Sequence, residues 1–451
     1  MKAEEQRTAY TAARSTVPVE WPIVPFEQAA TPQSDRGKRI KQRDYLPEGR
    51  IPVIDQGQAP VGGYTDDEDS AFSGELPVVL FGDHTRAVKL VSHRFAVGAD
   101  GIKIFRPAEG VRPKYLYYWM KSARIPDRGY GRHYQYLRQL SVPLPPPAKQ
   151  DEIVAEIEKQ FSRLDEAVAN LKRVKANLKR YKAAVLKAAV EGRLVETEAE
   201  LVRREGRSYE TGEQLLQHIL EIRRSQWQGK GKYKEPAAPD TTGLPELPEG
   251  WVWATLEQLT TQIADVDHKM PKAFEGGIPY VSTKDFNGDN DINFAGAKRI
   301  SPVDYAALCK KVRPEFGDIL LSRYGTVGEV RTVKTDMPFQ ASYSVAILKP
   351  INSFETADFV ATVLRSDVIQ SQIKRDVRAT AQPDLGLAHI RQFVVPFPSL
   401  EEQKQIIADV ERHLTLTVVA EAQVNSNLQR AERLRHALLA RAFTAEHIGA
   451  N

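Results

Sequence analysis

Residues 150–192, QDEIVAEIEKQFSRLDEAVANLKRVKANLKRYKAAVLKAAVEG, decide the fold. Apolar residues recur in two interlocked series of seven. One is Ile157, Leu164, Leu171, Leu178 and Val185; the other is Ile153, Ala167, Val174 and Tyr181, with Gln160 as its polar member. Two such series form a coiled-coil seam rather than a broad amphipathic stripe. No Pro or Gly interrupts the stretch before Gly192, so at about 1.5 Å per residue the helix runs on the order of 60 Å. Typical globular helices reach only ~15–20 Å. A rod of this length needs a partner to cover its seam.

The partner lies in the same chain. Arg138-Gln139-Leu140-Ser141-Val142-Pro143-Leu144-Pro145 recurs as Arg391-Gln392-Phe393-Val394-Val395-Pro396-Phe397-Pro398, an offset of 253 (138 to 391). The offset holds without a gap through the helix: Gln150 becomes Gln403, Ile153 becomes Ile406, Ile157 becomes Val410 and Val185 becomes Leu438. A duplicated unit explains this most simply. The second copy opens with Ser399-Leu400-Glu401-Glu402, the Ser-x-x-Glu form of a capping box. Its expected seam is Ile406, Val410, Val424, Leu434 and Leu438, weakened by His413, Thr417 and Asn427. Polar residues at such positions cost stability but fix register and pairing; a helix packing only partly on the first is the equal alternative.

The 451 residues suffice for about three domains. Their composition, 41% hydrophobic and 27% charged, is that of a soluble globular protein. No apolar run approaches the ~18 residues of a membrane span, and Met1-Lys2-Ala3-Glu4-Glu5 leads into no apolar signal core. A cytoplasmic protein without a membrane partner is therefore expected. Cys309 is the only cysteine, which excludes intramolecular disulfides and cysteine-rich zinc sites and fits a reducing compartment. The net charge of +4 leans only weakly towards polyanions.

Residues 21–147 carry strand and turn signals. Residues 51–54, 77–81 and 101–105 are short apolar or alternating runs between Gly, Pro and Asp clusters, and 113–124 is a short aromatic-rich helix. Beyond the rod, 196–235 holds a shorter helix around 212–220 and the basic loop Gly229-Lys230-Gly231-Lys232, and 236–248 is a linker by composition. The second globular unit repeats the character of the first, with strands at 276–281, 317–322 and 344–348 and a helix at 356–374. The fold class is α+β. Expected divisions are 1–147 (first domain), 148–195 (first long helix), 196–247 (short helix and linker), 248–398 (second domain) and 399–447 (second long helix).

Two variable α+β units, each with a Pro-rich exit and a repeated heptad helix, and Gln-x-x-Ile at both Gln150 and Gln403, resemble the specificity subunit of Type I restriction-modification enzymes. Gly325-Thr326-Val327-Gly328 after a strand, and Leu244-Pro245-Glu246-Leu247-Pro248-Glu249-Gly250-Trp251 opening the second unit, resemble that family too. The likeness covers nearly the whole chain. It implies two target recognition domains separated by an antiparallel coiled-coil pair, related by an internal pseudo-two-fold, reading an asymmetric split site on double-stranded DNA. If the pair acts as a ruler, each domain enters a major groove about one helical turn, ~34 Å, from the other.

Arg, Lys, Asn and Gln read base edges, whereas Ser, Thr, Tyr and backbone amides hold phosphates. On that chemistry the first domain offers Asp83 with His84, Thr85 and Arg86, and a loop interleaving cations and aromatics: Arg128, Tyr130, Arg132, His133 and Tyr134. The second offers Ser282, Thr283 and Lys284; Arg323, Tyr324 and Thr326; and Arg375, Arg378 and Gln382. For each residue the alternative is a solvated turn or a structural ion pair. Acidic residues crowd the start of the first rod and Lys172 to Lys187 its end, which complements the helix dipole and leaves docking of partner subunits as the other reading.

Neither a glycine-rich cofactor loop nor an Asn/Asp-Pro-Pro-aromatic tetrapeptide is present, and Gly229-Lys230-Gly231-Lys232 lacks the spacing and Ser/Thr of a nucleotide loop. Pro383-Asp384 with Glu402-Gln403-Lys404 could be forced into a nuclease signature, but the first copy has Lys149-Gln150-Asp151 there. The expectation is a non-catalytic chain binding no cofactor. The resemblance implies two methylation subunits using S-adenosylmethionine, and restriction/translocase subunits using ATP and Mg²⁺. A self-sufficient modification or restriction enzyme and a coiled-coil adaptor are the rival readings.

Overall fold

The computed structural model describes residues 21–443 except 36, 100, 128, 130, 228–230, 269, 289, 352–353 and 378–382. The chain divides into two compact units, Met1–Arg173 with Val424–Asn451, and Val174–Gln423. Both long helices, Pro147–Val190 and Leu400–Ala442, contribute residues to both units.

In the first unit an antiparallel sheet runs Ala30–Gln33, Ile102–Pro107, Val78–Gly82, Val88–Val91. All five residues of Val78–Gly82 are buried, because this inner strand is covered on both faces. A second sheet runs Arg39–Ile40, Ala96–Gly98, Ile51–Ile54, Gly63–Thr65, with Ile51–Ile54 parallel to Ala96–Gly98. The helix Pro113–Ser122 starts with Pro at its first turn, where no amide donor is missed. It buries Tyr115, Leu116, Trp119 and Met120 against Phe26, Phe81 and Phe105. The Tyr115 hydroxyl, pushed far above its ordinary pKa by burial, donates to the Pro143 carbonyl at 2.6 Å. The entry strand Ile23–Pro25 pairs antiparallel with the exit strand Ser141–Pro143.

The second unit repeats this plan. Its antiparallel sheet runs Thr260–Ala264, Val345–Pro350, Ile319–Ser322, Val330–Thr332. Its other sheet contains one parallel pair, Ile278–Val281 with Gln340–Ala341, where that of the first unit has two. The entry strand Val252–Thr255 pairs with the exit strand Val394–Phe397. Residues 356–374, expected as one helix, form two, Phe354–Arg365 and Asp367–Asp376. Ser366 divides them: its extended backbone caps the second, and its hydroxyl turns back to the Val363 carbonyl at 2.6 Å.

Within the first unit the start of the first long helix meets the end of the second, with Ile157 and Phe161 packed on Leu439 and Ala442. Arg435 pairs with Asp165, and its guanidinium lies 4.6 Å from the Phe161 ring. Within the second unit Val185 packs with Ile406 and Val410, the Tyr181 hydroxyl meets His413 Nδ1 at 2.6 Å, and Lys182 reaches Glu421 at 3.3 Å. The helices are therefore antiparallel.

One of the two expected heptad series is displaced. Ile157, Leu164, Leu171, Leu178 and Val185 turn inward, but their companions are Phe161, Val168 and Lys182, one residue after the expected Gln160, Ala167 and Tyr181, whereas Lys175, one after Val174, is exposed. Val174 and Tyr181 are 43% and 44% exposed. Both choices alternate steps of three and four, so spacing alone cannot separate them, and the pairing selects the series that carries Phe161. Ile153 packs both on the Ile157–Leu439 cluster and on the core of the first domain, to which Val154 belongs. In the second helix Ile406, Val410 and Val424 are buried, Leu438 is partly buried beside Leu439, and Leu434 is 47% exposed. Thr417 is inward, and its hydroxyl is satisfied by the His413 carbonyl at 2.7 Å.

The repeated glutamines tie the helix starts to the domains. Gln150 is buried; its Oε1 accepts from the Arg112 amide at 2.8 Å, and its Nε2 donates to the carbonyls of Gly110 at 3.0 Å and Pro145 at 2.8 Å. Gln403 repeats the last contact to Pro398 at 3.0 Å. Gln150→Ala leaves the buried Pro145 carbonyl and two part-buried backbone groups without their partner and should lower stability by about 1–3 kcal/mol. Urea unfolding measures this; a loss under about 1 kcal/mol would show the amide to be dispensable. Glu402 is also buried, accepting from Trp251 Nε1 at 2.9 Å and from the Glu198 amide at 3.2 Å.

Candidate nucleic-acid interface

In each domain the hairpin of the four-stranded sheet ends in a polar turn at the same topological point. Asp83 donates its amide to Gly101 O as Arg323 does to Ser344 O, and the carbonyls of Asp83 and Arg323 accept from His133 N and Leu385 N. The equivalence places His84 opposite Tyr324 in the repeat.

In the first domain the structure brings the two candidate segments together. Asp83 is buried, and its carboxylate accepts from the Tyr134 amide at 2.8 Å. His84 Nδ1 lies 3.2 Å from the Gly131 carbonyl. Gln56 supports the turn, accepting the His84 amide on its side chain and the Thr85 hydroxyl on its backbone. Arg86 has a positive φ of 59° and spends its guanidinium on Asp127 at 2.7 Å and the Ile125 carbonyl at 3.2 Å. The Gly129 amide and then Arg86 hold the Asp127 carboxyl below its ordinary range. His133 departs from its expected role: only 1% exposed, with Nδ1 at 2.9 Å from the Asp83 carbonyl, it anchors the loop and cannot reach a base. Arg132 is exposed, and its guanidinium makes no ion pair with a described residue. Tyr134 is half-buried, tilted on Phe105 with Lys103 Nζ 5.6 Å from its ring centre. Arg128 and Tyr130 lie outside the described residues.

In the second domain Arg323 likewise departs from expectation. It is 6% exposed, pairs with Asp265 and with Asp384 at 3.2 Å, and donates from Nε to the Leu385 carbonyl at 3.0 Å. It therefore stitches together three loops that are distant in sequence instead of reading bases. Its guanidinium also lies 4.5 Å from the Tyr324 ring. Tyr324 meets His268 and Tyr343 edge-on at 5.8 and 5.7 Å, and those two rings stack at 4.6 Å. Burial raises the Tyr324 hydroxyl above its ordinary pKa, opposed by Arg323 and reinforced by Asp384. His268 and Tyr343 carry no local signal in the sequence, since only the fold brings residues so far apart together.

The remaining second-domain candidates border this turn. Thr283 Oγ1 lies 3.9 Å from where a Cβ on Gly325 would stand, and Gly325 needs its positive φ of 73° to make the turn. Ser282 is tied by amide and hydroxyl to the Asp285 carboxylate at 2.7 and 2.9 Å, whereas Lys284 is exposed and without an ion pair among the described residues. Thr326 is exposed, its carbonyl capped by the Ser322 hydroxyl. Arg375 is exposed and pairs with Asp376 at 2.9 Å. Arg378 and Gln382 lie outside the described residues. Asp384 and Glu402, the acids of the discarded nuclease pattern, both have structural partners. No helix among the described residues is long and apolar enough to cross a membrane.

Residues 248–430 match the family described as the Type I restriction modification DNA specificity domain. The Type I restriction enzyme EcoBI specificity subunit of Escherichia coli is 26% identical over 314 residues, which cover 69% of this chain and 59% of that protein. The match thus spans less than two thirds of that relative's length. Among solved structures, the HsdS subunit from Thermoanaerobacter tengcongensis superposes with a TM-score of 0.50 at 16% identity, covering 96% of this chain and 99% of the other. A chain from the structure on complex assembly and conformational transition of the type I R-M system gives 0.60 at 15% identity, covering 96% and 100%. At such identities the structures speak to fold alone. Residues 248–430 thus carry the DNA specificity domain of Type I restriction-modification systems, and the chain is similar in sequence and fold to specificity subunits of such systems.

Proposed function

We propose that this chain is the sequence-reading component of a Type I restriction-modification complex. It binds one asymmetric, two-part duplex site and delivers that site to partner subunits. The observation that carries the reading is the duplicated sheet, which presents a polar turn at an equivalent point of each domain but with unlike residues, Asp83-His84-Thr85-Arg86 in one and Arg323-Tyr324-Gly325-Thr326 in the other. Equivalent frames with unlike turns suit two different half-sites. His84, Arg132, Lys284, Tyr324, Thr326 and Arg375 are the candidates left to touch DNA, the cations at base edges or phosphates and the tyrosine by stacking. The antiparallel helices act as a ruler that fixes the spacing of the half-sites. Two methylation subunits supply S-adenosylmethionine chemistry, and restriction/translocase subunits supply ATP- and Mg²⁺-dependent cleavage. This chain contributes recognition and no reacting group.

The test is a shift assay of the chain with its methylation partners on duplexes carrying the methylated motif of the host genome, read by modified-base sequencing. The complex should prefer that motif by about a thousandfold or more at physiological salt. Binding indifferent to sequence, or methyl transfer by the lone chain, would overturn the reading.

A further inference from the structure

One cavity of the second unit, about 290 Å³, has no part in the turn described above. It runs along the edge strand Thr260–Ala264 and is lined by Arg223, Lys311 and Arg391, with Glu257 as its acid. Arg223 stands in the last turn of the helix Gly212–Ser225, in a segment that the duplication does not account for. Its neighbour Arg224 is neutralised by Glu235 at 2.5 Å. Arg223 is not: its Nε and Nη1 are shut from solvent without a hydrogen-bond partner, and no described residue forms an ion pair with it. Arg391 donates to the Ile263 carbonyl at 3.0 Å and likewise has no carboxylate partner among the described residues. Hydrogen bonds to Asp267 and Asp265 raise the Lys311 pKa above its ordinary value against the effect of burial.

Two guanidinium nitrogens held away from water without a partner are costly, and an oxyanion drawn to the group lowers that cost. The location indicates which anion. The strand that lines the cavity leads directly into Asp265, the carboxylate that holds Arg323 under the Tyr324 turn. Five residues of strand place the cavity within about 15–20 Å of that turn, a few nucleotides along a duplex backbone. We propose that Arg223 and Arg391 form a phosphate seat that grips the DNA backbone beside the second half-site, positioning the domain without reading sequence. The proposal rests on the duplex-reading function above.

The test uses the full chain with its methylation subunits and a labelled duplex bearing the motif, titrated by anisotropy from about 50 to 200 mM salt. Arg223→Gln and Arg391→Gln should each weaken binding about threefold or more on matched and mismatched duplexes alike, and lower the slope of log affinity against log salt by about one, with the methylated motif unchanged. Arg223→Lys should keep the slope. Independently of any variant, wild-type protein should lose affinity when one phosphate flanking the second half-site is replaced by a neutral methylphosphonate, and Arg223→Gln should lose nothing further on that duplex. Unchanged slopes in both glutamine variants, with no sensitive methylphosphonate position, overturn the seat. So does weakened assembly with the methylation subunits at unchanged duplex affinity, which would mean that a partner's acid fills the cavity. Wild-type binding without sequence preference overturns the underlying function as well, and shows before any variant is measured.

Discussion

Replacing Arg323 with methionine should destabilise the second domain by about 3–5 kcal/mol, the usual consequence of removing one member of a buried ion cluster. Asp265 is left in the interior with only Lys311 at 3.4 Å, Asp384 loses its partner, and the Leu385 carbonyl loses a donor. Urea unfolding of the full chain should show an early transition for this unit. Because three loops are released together, discrimination at the second half-site should vanish while the first half-site is still read. Arg323→Lys keeps the charge but not the forked geometry and should fall in between. A base-reading arginine would give the opposite pattern: unchanged stability, and relaxed preference at a single base pair. That result would return Arg323 to the interface.

The second large effect concerns spacing. One heptad inserted after Arg173 in the first helix, matched by one after Gln423 in the second, preserves the seam and adds about 10 Å to the pair. A ruler of that added length calls for a spacer longer by about three base pairs, at ~3.4 Å each. Binding to the parental site should fall by at least about a hundredfold, since one half-site is lost and each mismatched pair costs about 1–3 kcal/mol. A duplex library with spacers of graded length, scored by methylation, gives the answer. A variant that still selects the parental spacer would show that spacing is set elsewhere.

The parts of this fold that were legible in the sequence are those written as periodicity or repetition. The rods followed from the seven-residue recurrence, and the paired domains from the offset that carries Gln150 onto Gln403. The face of the rod was half legible: Ile157 to Val185 repeat unmistakably, but only the partner helix decides that Phe161 and Lys182, and not Gln160 and Tyr181, complete the seam. Strands such as Ala30–Gln33 carry neither alternation nor a β-branched run and are set by pairing with Ile102–Pro107. The polar turns were legible as segments, but the partners of their individual side chains were not. An arginine before a tyrosine in a polar turn has the same local appearance whether its guanidinium faces a phosphate or two carboxylates. Asp265 and Asp384, which settle the matter for Arg323, lie 58 and 61 residues away. His133 misleads similarly, since its partner is a backbone carbonyl 50 residues earlier.

The pairing of Ile23–Pro25 with Ser141–Pro143, and of Val252–Thr255 with Val394–Phe397, has a consequence beyond stability. Each reader begins and ends on neighbouring strands, so the backbone enters and leaves through a single narrow gate. A whole reader can be exchanged for an unrelated one by splicing at that gate, with the helices behind it undisturbed. Recombination at that gate would then replace one domain whole in a single step and, under the proposed function, leave the other half-site unchanged.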